Sequence, residues 1–417
     1  MFSATLTNRP LLRALANRPF RLLWSGQSCS RIGDFLYEIA LAWWVLEQTG
    51  SATAMATVLI CAFAPMVLFS LVGGVVVDRY PRLQIMLVSD LVRGGIVSLI
   101  GVLALLGHLQ LWHIYLASLL FGLVEALFHP AYRATIPAVV PATALPSANA
   151  LSSFSVQAGR VVGPALGTGI VALGGTGTAF LLNGLTFFLA AAFLMPLAPL
   201  RMADTVAINQ ESPGATSIWA DLRTGVTVVR GLPWLWLTIL LFAISNVTLS
   251  SPYSVTLPFL VKEELQATVG TLGLLYASFP LGYLLGGVWL GRQSQIRRRG
   301  WLVYGGLVVA GLMLALFGLR LPLIVIALAA LINGVAMELG DLAWTNLLQE
   351  RVPREFLGRV ASLDALGSFA LLPLGYGLAG WATEYFGADM VLLFGGGITA
   401  LLAALVLITL PSIRHLD

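Results

Sequence analysis

The chain has 417 residues, 58% of them hydrophobic and only 10% charged, with a formal net charge of +4. Soluble chains carry about 25% charged residues, so a water-soluble fold of this length is excluded, and the mean hydropathy of +0.89 agrees. Cys29 and Cys61 sit in long apolar runs and make no disulfide scaffold, and the basic excess is scattered between apolar runs instead of forming a nucleic-acid-binding block.

A helix crossing the hydrocarbon layer needs about 20 apolar residues. In chain order, that length predicts spans over 20–46, 52–76, 84–106, 112–128, 147–173, 179–197, 233–257, 269–290, 301–319, 322–342, 360–383 and 390–410. The fourth and tenth are expected to extend toward Pro137 and Leu348. The runs are continuously apolar, whereas the strands of a membrane barrel alternate. The first is too long for a cleaved signal peptide and contains Asp34, so the basic stretch before it reads as a cytoplasmic anchor.

Basic residues set the orientation. With the N-terminus inside, 18 arginines fall on the inner side, and only Lys262 and Arg320 fall outside. The positive-inside rule then predicts that both termini are cytoplasmic. The longest polar interruption, 201–232, separates an N-terminal part, 1–200, from a C-terminal part, 233–417. Its first portion reads as a flexible linker. Its second places Ile218, Trp219, Leu222 and Val229 near one face, which suits an interfacial helix, with a solvated loop as the alternative.

The two parts repeat. A shift of 212 residues superposes Val140-Pro141 on Val352-Pro353, Leu145 on Leu357, Leu151 on Leu363 and Gly163 on Gly375. The predicted fold is an all-α integral membrane protein of twelve transmembrane helices in two pseudo-symmetric six-helix bundles, with a substrate site between them near the midplane.

Charges inside spans need a reason, because one at the bilayer centre costs roughly 2.5–3.5 kcal/mol on an insertion scale. Arg31, Asp34 and Glu38 are spaced three and four apart and share one helix face. Glu125, Arg160, Glu338 and Asp341 lie in other spans, as do Asp90 and Arg93. Glu38 has no obvious local base, so Glu38 and Glu125 are the preferred proton carriers. Asp34 is either a third or the partner of a fixed ion pair with Arg31 or Arg160. Asp90 and Asp364 lie near the inner ends of their spans and suit gating or packing. Tyr37, Trp43, Trp44, Tyr253, Phe279, Tyr283, Trp344 and Tyr376 can supply aromatic walls.

Three sequence phrases carry a family resemblance. Gly74-Val-Val-Val-Asp78-Arg79-Tyr-Pro-Arg82 resembles the loop signature of the major facilitator superfamily, departing from it at Pro81 and Leu83. Its counterpart, Gly286 to Arg292, lacks the acid. Gly159-Arg160-Val-Val-Gly163-Pro164-Ala-Leu-Gly167-Thr168 is similar to the antiporter motif of that superfamily, with Thr168 in place of a usual glycine. Glycines four apart also make a smooth stripe for helix packing. The segments 128–141, 148–151 and 352–360, with Asp90 and Arg93, resemble the bacterial drug-efflux branch that includes macrolide and enterobactin exporters.

The resemblance implies the major facilitator fold in a bacterial inner membrane, and export of small amphipathic compounds by proton antiport. It implies gating by Gly74, Asp78, Arg79, Arg82, Asp90 and Arg93, and a cavity lined by the first, fourth, seventh and tenth spans. Arg31, Tyr37, Glu338, Asp341 and Trp344 are the expected substrate contacts. Uptake or lipid movement on the same fold stays open, as does a non-transporting sensor or scaffold. The expected partners are a small-molecule substrate, protons and membrane lipid, with a monomeric chain, no cofactor and no metal. The sole lysine, Lys262, follows Val261, so there is no Gly-Lys phosphate loop, and the four histidines form no His-Glu-x-x-His helix.

Overall fold

The computed structural model describes residues 10–197, 226–293 and 298–410. Among them the protein is helical throughout. The helices are α1 (Arg18–Thr49), α2 (Ala52–Arg79), α3 (Arg82–Leu105) and α4 (Leu111–Val139). The run Leu145–Leu194 follows, broken at Gly175 (φ 75°, ψ 172°) into α5 (145–174) and α6 (176–194). Next come α7 (Pro233–Glu264), α8 (Val269–Gly291), α9 (Arg299–Phe317) and α10 (Leu323–Arg351). The last two are α11, whose arms Arg354–Phe369 and Leu372–Phe386 meet at a short turn, and α12 (Ala388–Thr409).

Ten helices among the described residues are long and apolar enough to cross a membrane, the run through α5 and α6 counting as one. The 32-residue α1 is long enough too, but carries Arg31, Asp34 and Glu38 in its middle. The predicted spans sit on these helices. The largest departure is α7, which runs past 257 to Glu264 through two π-helical turns, Asn246–Ser250 and Leu260–Glu264. The expected linker and most of the expected interfacial helix lie outside the described residues; 226–231 is helical.

The turns follow a rule. Every second connection contains a residue with positive φ, Gly50, Gly107, Gly175, Gln266, Arg320 or Gly387, and Arg298 before α9 is a seventh that falls outside this alternation. Glycine adopts this backbone freely, and at Gly175 it lets α6 leave α5 without a loop. Three of the intervening connections place a proline before the next helix, at Pro81, Pro141 and Pro353. Proline cannot continue the preceding helix and fixes the entry of the following one.

The chain divides into two compact units, one of 1–48 and 57–210, the other of 49–56 and 211–417. Within the first, Phe20, Leu23, Met86, Phe128, Tyr132, Ile136 and Val140 belong to one buried cluster. Within the second, Leu235, Trp344, Leu348, Val352 and Val360 belong to another. Leu23, Tyr132, Ile136, Val140 and Ala148 of the first cluster stand 212 residues before these five, so the sequence repeat is also a repeat of packing.

The glycine stripe of α5 lies against α1. A Cβ on Gly167 would come within 3.1–3.2 Å of the Leu36 backbone, and one on Gly163 would overlap the Phe35 side chain. In the second unit Gly375 lies against Val247 and Ser251 of α7, again at a shift of 212 from the Gly163 contact with Phe35. Gly163→Leu is therefore expected to push α5 off α1 and lower the unfolding temperature in detergent. Gly169→Leu, at a position where none of the described atoms of other helices lies within 4 Å of an added Cβ, is the control.

Candidate functional site

In the first unit, α1, α3 and α4 bring together a polar network inside apolar helices. Arg93 of α3 donates to Asp90 Oδ1 at 2.5 Å, with side-chain exposures of 2% and 0%. The other arm of the guanidinium reaches Glu125 Oε1 of α4 at 3.4 Å. Gln27 of α1 donates to Asp90 Oδ2 at 2.9 Å, and His129 Nε2 lies 3.5 Å from Glu125 Oε2. The Arg93 guanidinium sits 4.1 Å from the Phe128 ring centroid and 4.5 Å from that of Phe187. Such faces attract a cation, so one arginine is held by two carboxylates and an aromatic cage.

Asp34 joins this neighbourhood without a bond. Arg93, Glu125, Arg31 and Asp90 are close enough to act on it electrostatically, yet its Oδ1 is buried with no hydrogen-bond partner. Among the described residues it makes no ion pair, which corrects the fixed-pair alternative. Arg31 lies over the Tyr132 ring at 5.1 Å and Arg160 over the Phe35 ring at 5.9 Å, so both guanidinia rest on aromatic faces. Glu38 is exposed, with Arg160 the base that acts on it. Tyr37 stacks on Phe121 and tilts against Phe180.

Among the expected gating residues, Asp90 and Arg93 lie in the buried network, Arg79 is exposed, and Arg82 donates to the Ala134 carbonyl at 3.2 Å. The Asp78 side chain lies outside the described atoms. Of the two neighbouring glycines it is Gly73, not the gating candidate Gly74, that meets another helix closely: a Cβ on Gly73 would overlap the Ala126 carbonyl, while none of the described atoms lies within 4 Å of one on Gly74. Arg160 and Pro164 stand on α5 among the stripe glycines, and Thr168 donates to the Pro164 carbonyl at 2.9 Å.

In the second unit, Tyr283 of α8 donates to Asp341 Oδ2 of α10 at 2.9 Å and also hydrogen-bonds Glu338. The hydroxyl stands beside both carboxyls, with its proton donated to Asp341. Gly287 leaves the room that Glu338 occupies, since a Cβ there would lie 2.8 Å from Glu338 Oε1. Trp344 donates to Asp364 Oδ2 at 3.1 Å. Sequence reading did not single out Gln27 or the role of His129. The second had a signal, its four-residue spacing from Glu125 on one helix face. Among the described residues no cluster of acids, histidines and cysteines could hold a metal.

Residues 11–417 match the model of a family described as transmembrane secretion effectors. Macrolide efflux protein A of Streptococcus pyogenes is 24% identical over 401 residues, covering 95% of this chain and 97% of that one. The enterobactin exporter of Escherichia coli strain K12 is 28% identical over 364 residues, with 83% and 80% covered. Among solved structures, a POT family transporter in complex with 5-aminolevulinic acid superposes with a TM-score of 0.72 at 13% identity, covering 95% of this chain and 97% of that one. The likeness in structure is one of fold. The chain is a multi-pass membrane protein that belongs to the transmembrane secretion effector family of the major facilitator superfamily, whose members are transporters and not enzymes.

Proposed function

We propose that the protein is a secondary active transporter that exports small amphipathic compounds, drug-like or siderophore-like, in exchange for protons. The observation that carries this reading is the polar network of the first unit, where three acids from three helices surround one buried arginine and a fourth group, His129, stands at its edge. A charge buried in an apolar bundle is kept for work on ions or substrates. Efflux by the related proteins supports the direction.

In this reading α1–α6 and α7–α12 are two six-helix halves of a twelve-span chain in a bacterial inner membrane, working as a monomer. The run Leu145–Leu194 supplies two crossings, since 50 residues exceed the ~20 that one needs, and α1 supplies the one its charges obscure. The halves rock between inward-open and outward-open states. Protons bind at Glu38 and Glu125, with Asp34 as a third site, and leave inside as substrate leaves outside. Asp78 and the arginines after α2 hold the inner side closed in the outward-open state.

Flux in proteoliposomes tests the proposal. An imposed proton gradient is expected to drive accumulation of an amphipathic dye against its own gradient, and collapse of the gradient to abolish it. Uptake-only flux, flux indifferent to protons, or none at all would each contradict it. Two further outcomes are expected. A single cysteine at Gly175, which is exposed, reacts with an impermeant thiol reagent from outside, and those at Gln210 and Ser294 only after permeabilisation; the reverse pattern would overturn the cytoplasmic placement of both termini. Asp78→Asn cuts flux severely but leaves equilibrium binding of the dye within about twofold, because it acts on the balance between states. Full flux in that variant would leave Asp78 as a topological charge.

A further inference from the structure

The repeat exposes an acid that packing does not explain. In the first unit Tyr132 of α4 donates to Ser152 Oγ of α5 at 3.2 Å. At a shift of 212 residues the same contact recurs, with Trp344 of α10 donating to Asp364 Oδ2 of α11. A neutral hydroxyl serves the first contact; the second uses a carboxylate. The helix contact therefore needs an acceptor, not a charge, and the second oxygen of Asp364 has another role.

Asp364 lines a cavity of about 340 Å³ inside the second unit. Asp364 Oδ1 is buried with no hydrogen-bond partner, and so are the hydroxyls of Ser245 and Ser368, both residues only 6% exposed. All three line the same cavity, together with Asp341 and Asn246. Unpaired buried polar groups are costly, and three around one space mark the place of a bonding partner. The backbone is shaped there too. Asn246 opens the first π-helical turn of α7, its amide donates to the Ser368 carbonyl at 2.9 Å, and its own carbonyl accepts from Ser251 Oγ at 2.8 Å. Single π turns inside α-helices are frequent at functional sites.

The chemistry of the partner follows from the lining. It holds two carboxylates and, among the described residues, no arginine, lysine or histidine, so it excludes anions. The remaining walls are largely apolar and aromatic, including Phe242, Leu249, Trp344 and Phe369. Only two acids line it, and no group of three acids, histidines or cysteines that could hold a metal ion occurs among the described residues. A protonated organic amine needs two or three acceptors and an apolar, aromatic surround. We propose that this cavity is a subsite for the ammonium group of an amine-bearing substrate. Asp364 Oδ1 and the hydroxyls of Ser245 and Ser368 accept its N–H bonds, and Asp341 adds the second negative charge. The volume suits an amine with one or two rings, that is, a portion of a larger amphipathic compound. The proposal rests on the transport reading and narrows its substrate class.

The test is equilibrium dialysis of the purified full chain in detergent with three probes of one shape: N,N-dimethyl-1-naphthylmethylamine, cationic at pH 7, neutral 1-naphthylmethanol and anionic 1-naphthoate. The amine is expected to bind at least about tenfold tighter than the alcohol, and the naphthoate weakest. Asp364→Asn removes the preference for the amine while changing alcohol binding less than about twofold, and Ser245→Ala with Ser368→Ala weakens the amine about threefold. Asp364→Ser, which restores the residue of the first repeat, gives the same loss and stands in should the asparagine variant fail to fold. An amine preference that survives in the folded serine variant overturns the site, as does displacement of the amine by millimolar sodium, which would assign the cavity to an inorganic cation. Transport is read separately in proteoliposomes. Binding that depends on Asp364 without any flux would sink the transport reading and leave the subsite. Proton-driven flux indifferent to Asp364 in both assays would do the reverse.

Discussion

Replacing Arg93 with methionine is expected to cost about 3–5 kcal/mol of stability, the range for breaking a buried ion pair by removing one partner. The reason is the company it keeps. Asp90 is fully buried, and its remaining contact, the Gln27 amide, is a neutral donor that cannot replace the guanidinium. Glu125 loses its buried base and retains only His129 at the margin. The rings of Phe128 and Phe187 would then face a thioether instead of a cation. The double variant Asp90→Asn, Arg93→Met should recover most of the loss, since a neutral pair leaves no uncompensated charge. Arg93→Lys should recover little, because a single ammonium cannot reproduce a planar fork that reaches carboxylates on two helices. Thermal unfolding in detergent, followed by tryptophan fluorescence, reads all three. A methionine variant as stable as the parent would show that the network stores no folding energy.

The spans were legible in the sequence because membrane helices announce themselves by length and apolarity, properties of a segment alone. The turns were legible for a similar reason, glycine and proline acting on their own backbone, as at Gly175, Pro141 and Pro353. The stripe of Arg31, Asp34 and Glu38 followed from helical spacing, and so could the Asp90–Arg93 pair have done. What spacing cannot show is which helix faces which. The bond from Arg93 to Glu125 joins α3 to α4, and the resting place of Arg31 is the Tyr132 ring rather than the neighbouring Asp34. An ion pair inferred from proximity along one helix lost to an aromatic face on another. The π turn at Asn246 left no local signal, because the extra residue is accommodated by contacts with α11, among them the Ser368 carbonyl. Ser245 and Ser368 were invisible for a simpler reason: small hydroxyls are common in membrane helices, and only their lack of a partner sets them apart.

The larger expected effect on function concerns coupling. A group that carries the driving proton links transport to the proton gradient, so neutralising it breaks that link while leaving the cavity to bind substrate. A group that only contacts substrate does the opposite: affinity falls and the link remains. Glu125 accepts from Arg93 and faces His129, and a glutamine there keeps one carbonyl acceptor for Arg93 and turns its amide toward the imidazole, while removing the negative charge. Glu38 is exposed, so its glutamine variant leaves no buried group unpaired. Both substitutions should therefore preserve the fold, and the readout is mechanism rather than stability.

The decisive measurement is efflux of an amphipathic dye from vesicles under an imposed proton gradient, made for the parent, Glu38→Gln, Glu125→Gln and the double variant, beside equilibrium binding of the same dye in detergent. The account predicts that each single variant binds the dye within about threefold of the parent yet loses gradient-driven accumulation, with downhill exchange retained. Full gradient-driven efflux from the double variant would contradict the assignment of the driving protons to Glu38 and Glu125, and would pass it to Asp34 and to the carboxyls beside the Tyr283 hydroxyl, Glu338 and Asp341.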